Sequence, residues 1–113
     1  MAEYVPDRGE IVWLRFDPRA GHEQAGRRAA LTVSPRSYNR KVGLGLFCPI
    51  TSSVKGYPFE VELPRGLKAK GAVLCDQIKS LDWRVRRAER ICPAPVDVLE
   101  EATAKILALV DPD

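Results

Sequence analysis

Glu10-Ile11-Val12-Trp13-Leu14-Arg15-Phe16, followed at once by Asp17-Pro18-Arg19-Ala20-Gly21, is the stretch that decides the fold class of this chain. Its first part is rich in β-branched and aromatic residues and alternates in part, as a short strand does. Its second part carries the proline and glycine that stop a strand with a turn. Outward from there the pattern repeats. A polar loop runs to about Arg28, and Ala29-Ala30-Leu31-Thr32-Val33 reads as a buried strand closed by Ser34-Pro35. Ser37-Tyr38-Asn39-Arg40 reads as a helical turn. Further strands are expected at Leu44-Gly45-Leu46-Phe47-Cys48-Pro49-Ile50, Phe59-Glu60-Val61-Glu62-Leu63, Gly71-Ala72-Val73-Leu74-Cys75, Gln77-Ile78-Lys79-Ser80-Leu81 and residues 88–92.

The period changes near the end. Leu99, Ala102, Ile106 and Leu109 fall at helical spacing, with Val98, Leu107 and Val110 near the same side. Pro95 sits where a first-turn proline is tolerated, and Glu100 and Glu101 lie toward the positive end of the helix dipole. Trp13 is expected in the core. Many short strands with Gly/Pro turns, then one amphipathic helix, imply a mainly β fold: a small curled antiparallel sheet with a helix packed on it. The 113 residues fit a single domain spanning 1–113.

Composition bounds the function. With 45% hydrophobic and 29% charged residues the chain reads as a soluble domain. The first residues lack a charged segment followed by an apolar one, and the longest clearly apolar run, residues 106–110, is far too short to span a bilayer. A cytoplasmic protein with no membrane partner is expected. The three cysteines, Cys48, Cys75 and Cys92, are widely spaced and accompanied by one histidine. That argues against a disulfide scaffold or a zinc site and for reduced, buried thiols; no metal and no cofactor are expected, and no glycine-rich phosphate loop is present.

The net charge of +3 is uninformative, but its distribution is not. Arg19, Arg27, Arg28, Arg36, Arg40 and Lys41 make one basic stretch; Arg84, Arg86, Arg87 and Arg90 make another. Residues 97–113 are acidic. A polyanion suits the basic part, although basic loops are also often merely solvated.

One loop carries chemistry: His22-Glu23-Gln24-Ala25-Gly26-Arg27-Arg28. Cleavage of RNA by a ribose 2′-hydroxyl needs a base, an acid for the leaving 5′-oxygen, and donors for the charge on the phosphate. Glu23 suits the first role and Arg28 the last, as a fixed fork of N–H donors. Thr51, after the strand ending Cys48-Pro49-Ile50, offers a hydroxyl to a phosphate oxygen. On these residues alone, a solvated Glu–Arg pair and a strand-capping threonine are the competing readings. Candidate RNA contacts are Gln24, Arg27, Ser52, Lys55 and Gln77, with Lys79 beside them. Trp83 either stacks on a base or packs inside the protein or a dimer.

The order Val5-Pro6-Asp7-Arg8-Gly9-Glu10-Ile11-Val12-Trp13, Phe16-Asp17-Pro18 and Gly21-His22-Glu23-Gln24-Ala25-Gly26-Arg27-Arg28 resembles the N-terminal signature of MazF/PemK toxins. Ser34-Pro35 with Tyr38-Asn39, Pro49-Ile50-Thr51-Ser52, Lys55-Gly56-Tyr57-Pro58-Phe59-Glu60-Val61 and Asp76-Gln77-Ile78-Lys79-Ser80-Leu81-Asp82-Trp83-Arg84 continue it across almost the whole chain. The resemblance implies an SH3-like barrel with a C-terminal helix (the CcdB/PemK-like fold), a homodimer, and a metal-independent endoribonuclease acting on single-stranded RNA. It also implies neutralisation by an antitoxin with an acidic, flexible tail. It places the family's catalytic arginine on Arg28, its catalytic threonine on Thr51 and its loop glutamate on Glu23. One departure stands out: Ala29 follows Arg28 where the family usually has proline, which removes rigidity but no functional group. Two alternatives remain in view. One is a CcdB-like topoisomerase poison on the same fold, which has no need of the Glu23, Arg28 and Thr51 set. The other is an inactive RNA-binding relative.

Overall fold

Trp13 and its neighbours form β1 (Glu10–Arg15) because alternate residues can be buried on both sides at once. Ile11 points into one apolar cluster, while Val12 and Leu14 point into another, and all three are fully buried. This is why the strand alternates only in part. The computed structural model describes residues 3–15 and 26–112. Phe16, His22, Glu23 and Gln24 therefore lie outside the described residues.

The remaining elements are β2 (Arg27–Thr32), α1 (Arg36–Val42), β3 (Gly45–Thr51), β4 (Glu60–Glu62), β5 (Ala72–Leu74), β6 (Lys79–Leu81), β7 (Glu89–Pro93) and α2 (Val96–Val110). All the strand pairings are antiparallel, in the order β4-β5-β3-β2-β1-β7, with β6 also paired to β3. The mainly β sheet closed by a C-terminal helix agrees with the expectation from sequence.

β3 organises the sheet. One edge pairs with β2 through Phe47, Cys48 and Pro49. The other edge pairs first with β6, through Gly45, Leu46 and Phe47, and then with β5, through Ile50 and Thr51. Pro49 falls in the interval between those two stretches, where its missing N–H removes no ladder bond on that edge. The chain must step from β5 to β6 along one neighbour, and it does so through a single 3-10 turn, Cys75–Gln77. The strand expected from Gln77 to Leu81 is thereby shortened to β6, and Gln77 is left on the turn.

Two clusters fill the two faces. Ile11, Leu31, Cys48, Ile50, Val61 and Val73 pack with Val98 and Ala102 of α2. Val5, Val12, Leu14, Ala30, Phe47, Leu81 and Trp83 form the second. Trp83 is thus core, and its Nε1–H donates to the Asn39 carbonyl at 3.1 Å. Asn39 is itself buried, donating to the carbonyls of Pro6 (2.8 Å) and Ser34 (3.0 Å). Those bonds turn the expected helical turn into α1, which ends at Gly43 in the left-handed region (φ 84°), its N–H on the Asn39 carbonyl.

α2 buries Val98 and Ala102, with Leu99 and Ile106 partly covered. Leu109 does not join that stripe as expected. Leu107, Leu109 and Val110 are all about half exposed or more, because the last turn runs past the 3-10 turn and β4 on which the helix rests. The three cysteines are buried free thiols. Burial pushes the Cys48 thiol up to about 12 and that of Cys75 up to about 11.

Candidate active site

β2 begins at Arg27, two residues earlier than its apolar run suggests, and this places both arginines on a paired strand rather than in the preceding loop. Arg27 pairs with Arg15 and Arg28 with Leu14, so the two side chains leave opposite faces. On the other side, β2 and β3 pair as Ala30↔Pro49, Leu31↔Cys48 and Thr32↔Phe47. Continuing that register by two residues sets Arg28 opposite Thr51 on the same face. Two depressions follow from this placement, and both residues line each of them.

Thr51 ends β3 at a tight turn. The Ser53 N–H donates to its Oγ1 at 3.0 Å, so one lone pair of the hydroxyl is engaged and its proton remains for another acceptor. Accepting a hydrogen bond also polarises the hydroxyl and makes it a better donor. The position of Thr51 is enforced from behind by Gly71. Its φ is +117°, and a Cβ built there would lie 1.9 Å from the Thr51 carbonyl oxygen. Only glycine allows the two backbones to approach so closely.

Arg28 is exposed and makes no hydrogen bond or ion pair among the described residues. Arg27 is held: its guanidinium lies 4.3 Å from the centre of the Trp13 ring and 3.4 Å from Glu89. Trp13 is thus not core as expected. Its strand partner is the small Ala29, which leaves the ring half-covered at the rim for a guanidinium to stack on.

Three depressions meet at Thr51. The first, about 390 Å³, is lined by Trp13, Arg27, Arg28, Ser52, Lys68 and Lys70. The second, about 340 Å³, adds Pro49, Leu74, Gln77 and Lys79 to Arg28 and Thr51. The third, about 420 Å³, is lined by Ser53, Lys55, Tyr57, Glu60, Asp76 and Gln77. Of the residues expected from sequence, Arg27, Arg28, Thr51, Ser52, Lys55 and Gln77 therefore share one surface, assembled from β2, the end of β3, the loop between β3 and β4, and the turn after β5. Glu23 and Gln24 lie outside the described residues. Sequence reading missed Lys68, Lys70 and Gly71. Their signal was present as Lys68-Ala69-Lys70-Gly71, two lysines on one side of a buried alanine. It also missed Tyr57 and Asp76, whose side chains bond to each other at 2.9 Å. Among the described residues no three His, Cys, Asp or Glu side chains are grouped so as to hold a metal.

Comparison with known proteins carries the same message across the whole chain. The family model described as PemK-like, MazF-like toxin of type II toxin–antitoxin systems matches residues 7–110. The endoribonuclease toxin MazF of Escherichia coli K12 is 44% identical over 110 residues, covering 97% of this chain and 98% of that protein. MazF of Deinococcus radiodurans, solved in crystal form I, superposes with a TM-score of 0.86 at 56% identity, covering 96% of this chain and 98% of its own. The MazE–MazF complex of the same organism gives 0.87 at 50% identity, with the same coverage. This chain belongs to the PemK-like, MazF-like family of type II toxins.

Proposed function

We propose that this chain is the toxin of a type II toxin–antitoxin system, an endoribonuclease that cuts single-stranded RNA without a metal and so arrests translation and growth. The observation that carries this reading is the placement of Arg28 opposite Thr51 at the meeting point of basic depressions. The named endoribonucleases MazF and PemK among its relatives support it over a topoisomerase poison or an inactive relative.

The chemistry follows from the groups present. The nucleophile is the substrate's own 2′-hydroxyl, tethered beside the phosphorus, so proximity supplies part of the rate. Negative charge gathers on the phosphoryl oxygens in the transition state. Arg28 meets it with a guanidinium that stays charged and forks across two oxygens, and Thr51 adds one donor. Glu23 is assigned the base, and Arg28 the relay of a proton to the leaving 5′-oxygen. The products are a 2′,3′-cyclic phosphate and a 5′-hydroxyl. Arg27, Ser52, Lys55, Gln77 and Gln24 contact the strand on either side.

The toxin acts in the cytoplasm, where its substrate is; among the described residues no helix is long and apolar enough to cross a membrane. It works as a homodimer, which lengthens the groove, and an antitoxin with an acidic flexible tail covers the same basic surface. The MazE–MazF structures of D. radiodurans support such a partner. Incubation with a defined single-stranded RNA in excess chelator, with both new ends mapped, tests the reading. Cutting should persist, and a 2′-deoxyribose just 5′ to the cut should abolish it while binding remains. Loss of activity in chelator that magnesium restores would rule out the metal-independent mechanism.

A further inference from the structure

The depression lined by Tyr57, Asp76, Gln77 and Glu60 differs in kind from its neighbours. It adjoins Thr51, yet it presents two carboxylates beside its one lysine, Lys55, where the depression toward residues 68–70 presents arginine and lysine and no carboxylate. Carboxylates that outnumber the cation disfavour a phosphate there and leave a neutral nucleobase admissible.

Each wall suits a base. Glu60 is turned inward to its own loop, accepting from the N–H groups of Lys55 (3.1 Å) and Gly56 (3.0 Å), which fixes the rim. Asp76 is exposed, with one carboxylate oxygen accepting from the Tyr57 hydroxyl at 2.9 Å and the other oxygen left for a donor. The same bond, with the charge of Asp76, holds the Tyr57 phenol above its ordinary value, so the ring keeps its proton past the pH at which a free tyrosine ionises. The Tyr57 ring is braced on another side by Phe59, whose centroid lies 6.1 Å away at a tilt of 51°. An exposed aromatic ring held at two points is a stacking platform that loses little freedom on binding. Leu74 supplies an apolar floor, and the Gln77 side chain offers both a donor and an acceptor.

We infer that this depression is a base-reading subsite for a nucleotide flanking the scissile phosphate, in which Tyr57 stacks on the base and Asp76 accepts a hydrogen bond from its exocyclic amino group. The inference rests on the endoribonuclease reading and deepens it by naming what the site selects. Adenine, cytosine and guanine carry such an amino group and uracil does not, so the subsite discriminates against uracil at one position. A carboxylate accepts and never donates while ionised, so the discrimination has a fixed sign.

The test begins by mapping the cut made by the native protein in a single-stranded RNA of mixed sequence. Oligonucleotides are then made that differ only in a base flanking the cut. They include purine riboside for adenosine and zebularine for cytidine, each of which deletes the amino group and nothing else. Deletion at one flanking position should lower kcat/KM on the order of ten- to a hundredfold. In Asp76→Ala that penalty should disappear, because no acceptor remains for the amino group to lose. In Tyr57→Phe the ring remains, so stacking persists while the penalty shrinks. Asp76 and Tyr57 are both exposed, and circular dichroism of each variant confirms that the fold is retained. If native protein cuts amino-deleted RNA at full rate at both flanking positions, or if Asp76→Ala keeps the native penalty, the inference is overturned while the endoribonuclease reading stands. If native protein cuts no RNA at all, both fall together.

Discussion

The two sides of Thr51 are alike in size and differ in charge: only one of them carries carboxylates. Toward residues 68–70 the surface offers Arg28, Lys68 and Lys70 over a stacked Arg27–Trp13 pair. Toward residues 55–60 and 76–77 it offers Asp76 and Glu60, with Lys55, around a braced tyrosine. Both depressions have similar volumes, about 390 and 420 Å³, so size does not distinguish them. Charge does. A nucleic acid has anionic phosphates and neutral bases on the same strand, and a surface that gathers its carboxylates on one side of Thr51 sorts one from the other. Thr51, which lines both depressions, stands at the boundary between them.

The sharpest way to break this contrast is at Arg28. Arg28→Ala should reduce cleavage by ~10²–10³, the usual cost of removing one preorganised donor, with thermal stability unchanged because the side chain is exposed and unpaired among the described residues. Arg28→Lys should recover little, since a point charge cannot fork across two oxygens. Full activity of Arg28→Ala in a cleavage assay would remove the basic side from the chemistry. Thr51→Ala should fall between native and Arg28→Ala.

Next in size is Gly71. A methyl group there meets the Thr51 carbonyl and demands a left-handed backbone, so Gly71→Ala should lower stability by about 1–3 kcal/mol and depress kcat more than it raises KM. Denaturant titration and steady-state kinetics measure the two effects. Native kcat in a folded Gly71→Ala protein would show that the close approach does not position the threonine.

The basic side is refined by Lys68→Ala and Lys70→Ala. Each phosphate contact on a single strand contributes about −0.7 to the slope of log K against log salt, so each variant should make that slope shallower by roughly this amount. Affinity of an uncleavable 2′-deoxy RNA at several salt concentrations gives the slope, and Asp76→Asn should not flatten it.

The last effect lies beneath the site and is confined to alkaline pH. Cys48 and Cys75 have raised thiol values in the folded protein, so they stay protonated where the unfolded chain ionises. The folded state is therefore penalised as pH rises above 9, by about 1.4 kcal/mol per unit per thiol, until each folded thiol ionises near 12 or 11. Cys48→Ala should flatten the alkaline limb of stability measured by urea unfolding while leaving neutral-pH activity intact.

Much of this was legible in the sequence, and for physical reasons. β1 and β3 are apolar runs bounded by turn residues, and their side chains have no other place than a core. Arg28 and Thr51 stood out because the motif around them resembles a known family. Three things were not legible. Arg28 reads as a loop residue because polar side chains at a strand's start give no apolar period, although the strand already pairs there. Trp13 reads as core because nothing local reveals that its partner is an alanine and its neighbour a guanidinium. Tyr57 and Asp76 are 19 residues apart, and their meeting depends on how the chain passes from β3 through β4 and β5.

The contact between Gly71 and the Thr51 carbonyl has a consequence for how such a protein can diversify. It pins the threonine from the backbone, through a residue with no side chain to vary. Substitutions on either flank, at residues 68–70 or at residues 57 and 76, can then accumulate without displacing the Thr51 hydroxyl. One immobile point lets the surrounding surface acquire a new preference in RNA while the cutting machinery is inherited unchanged.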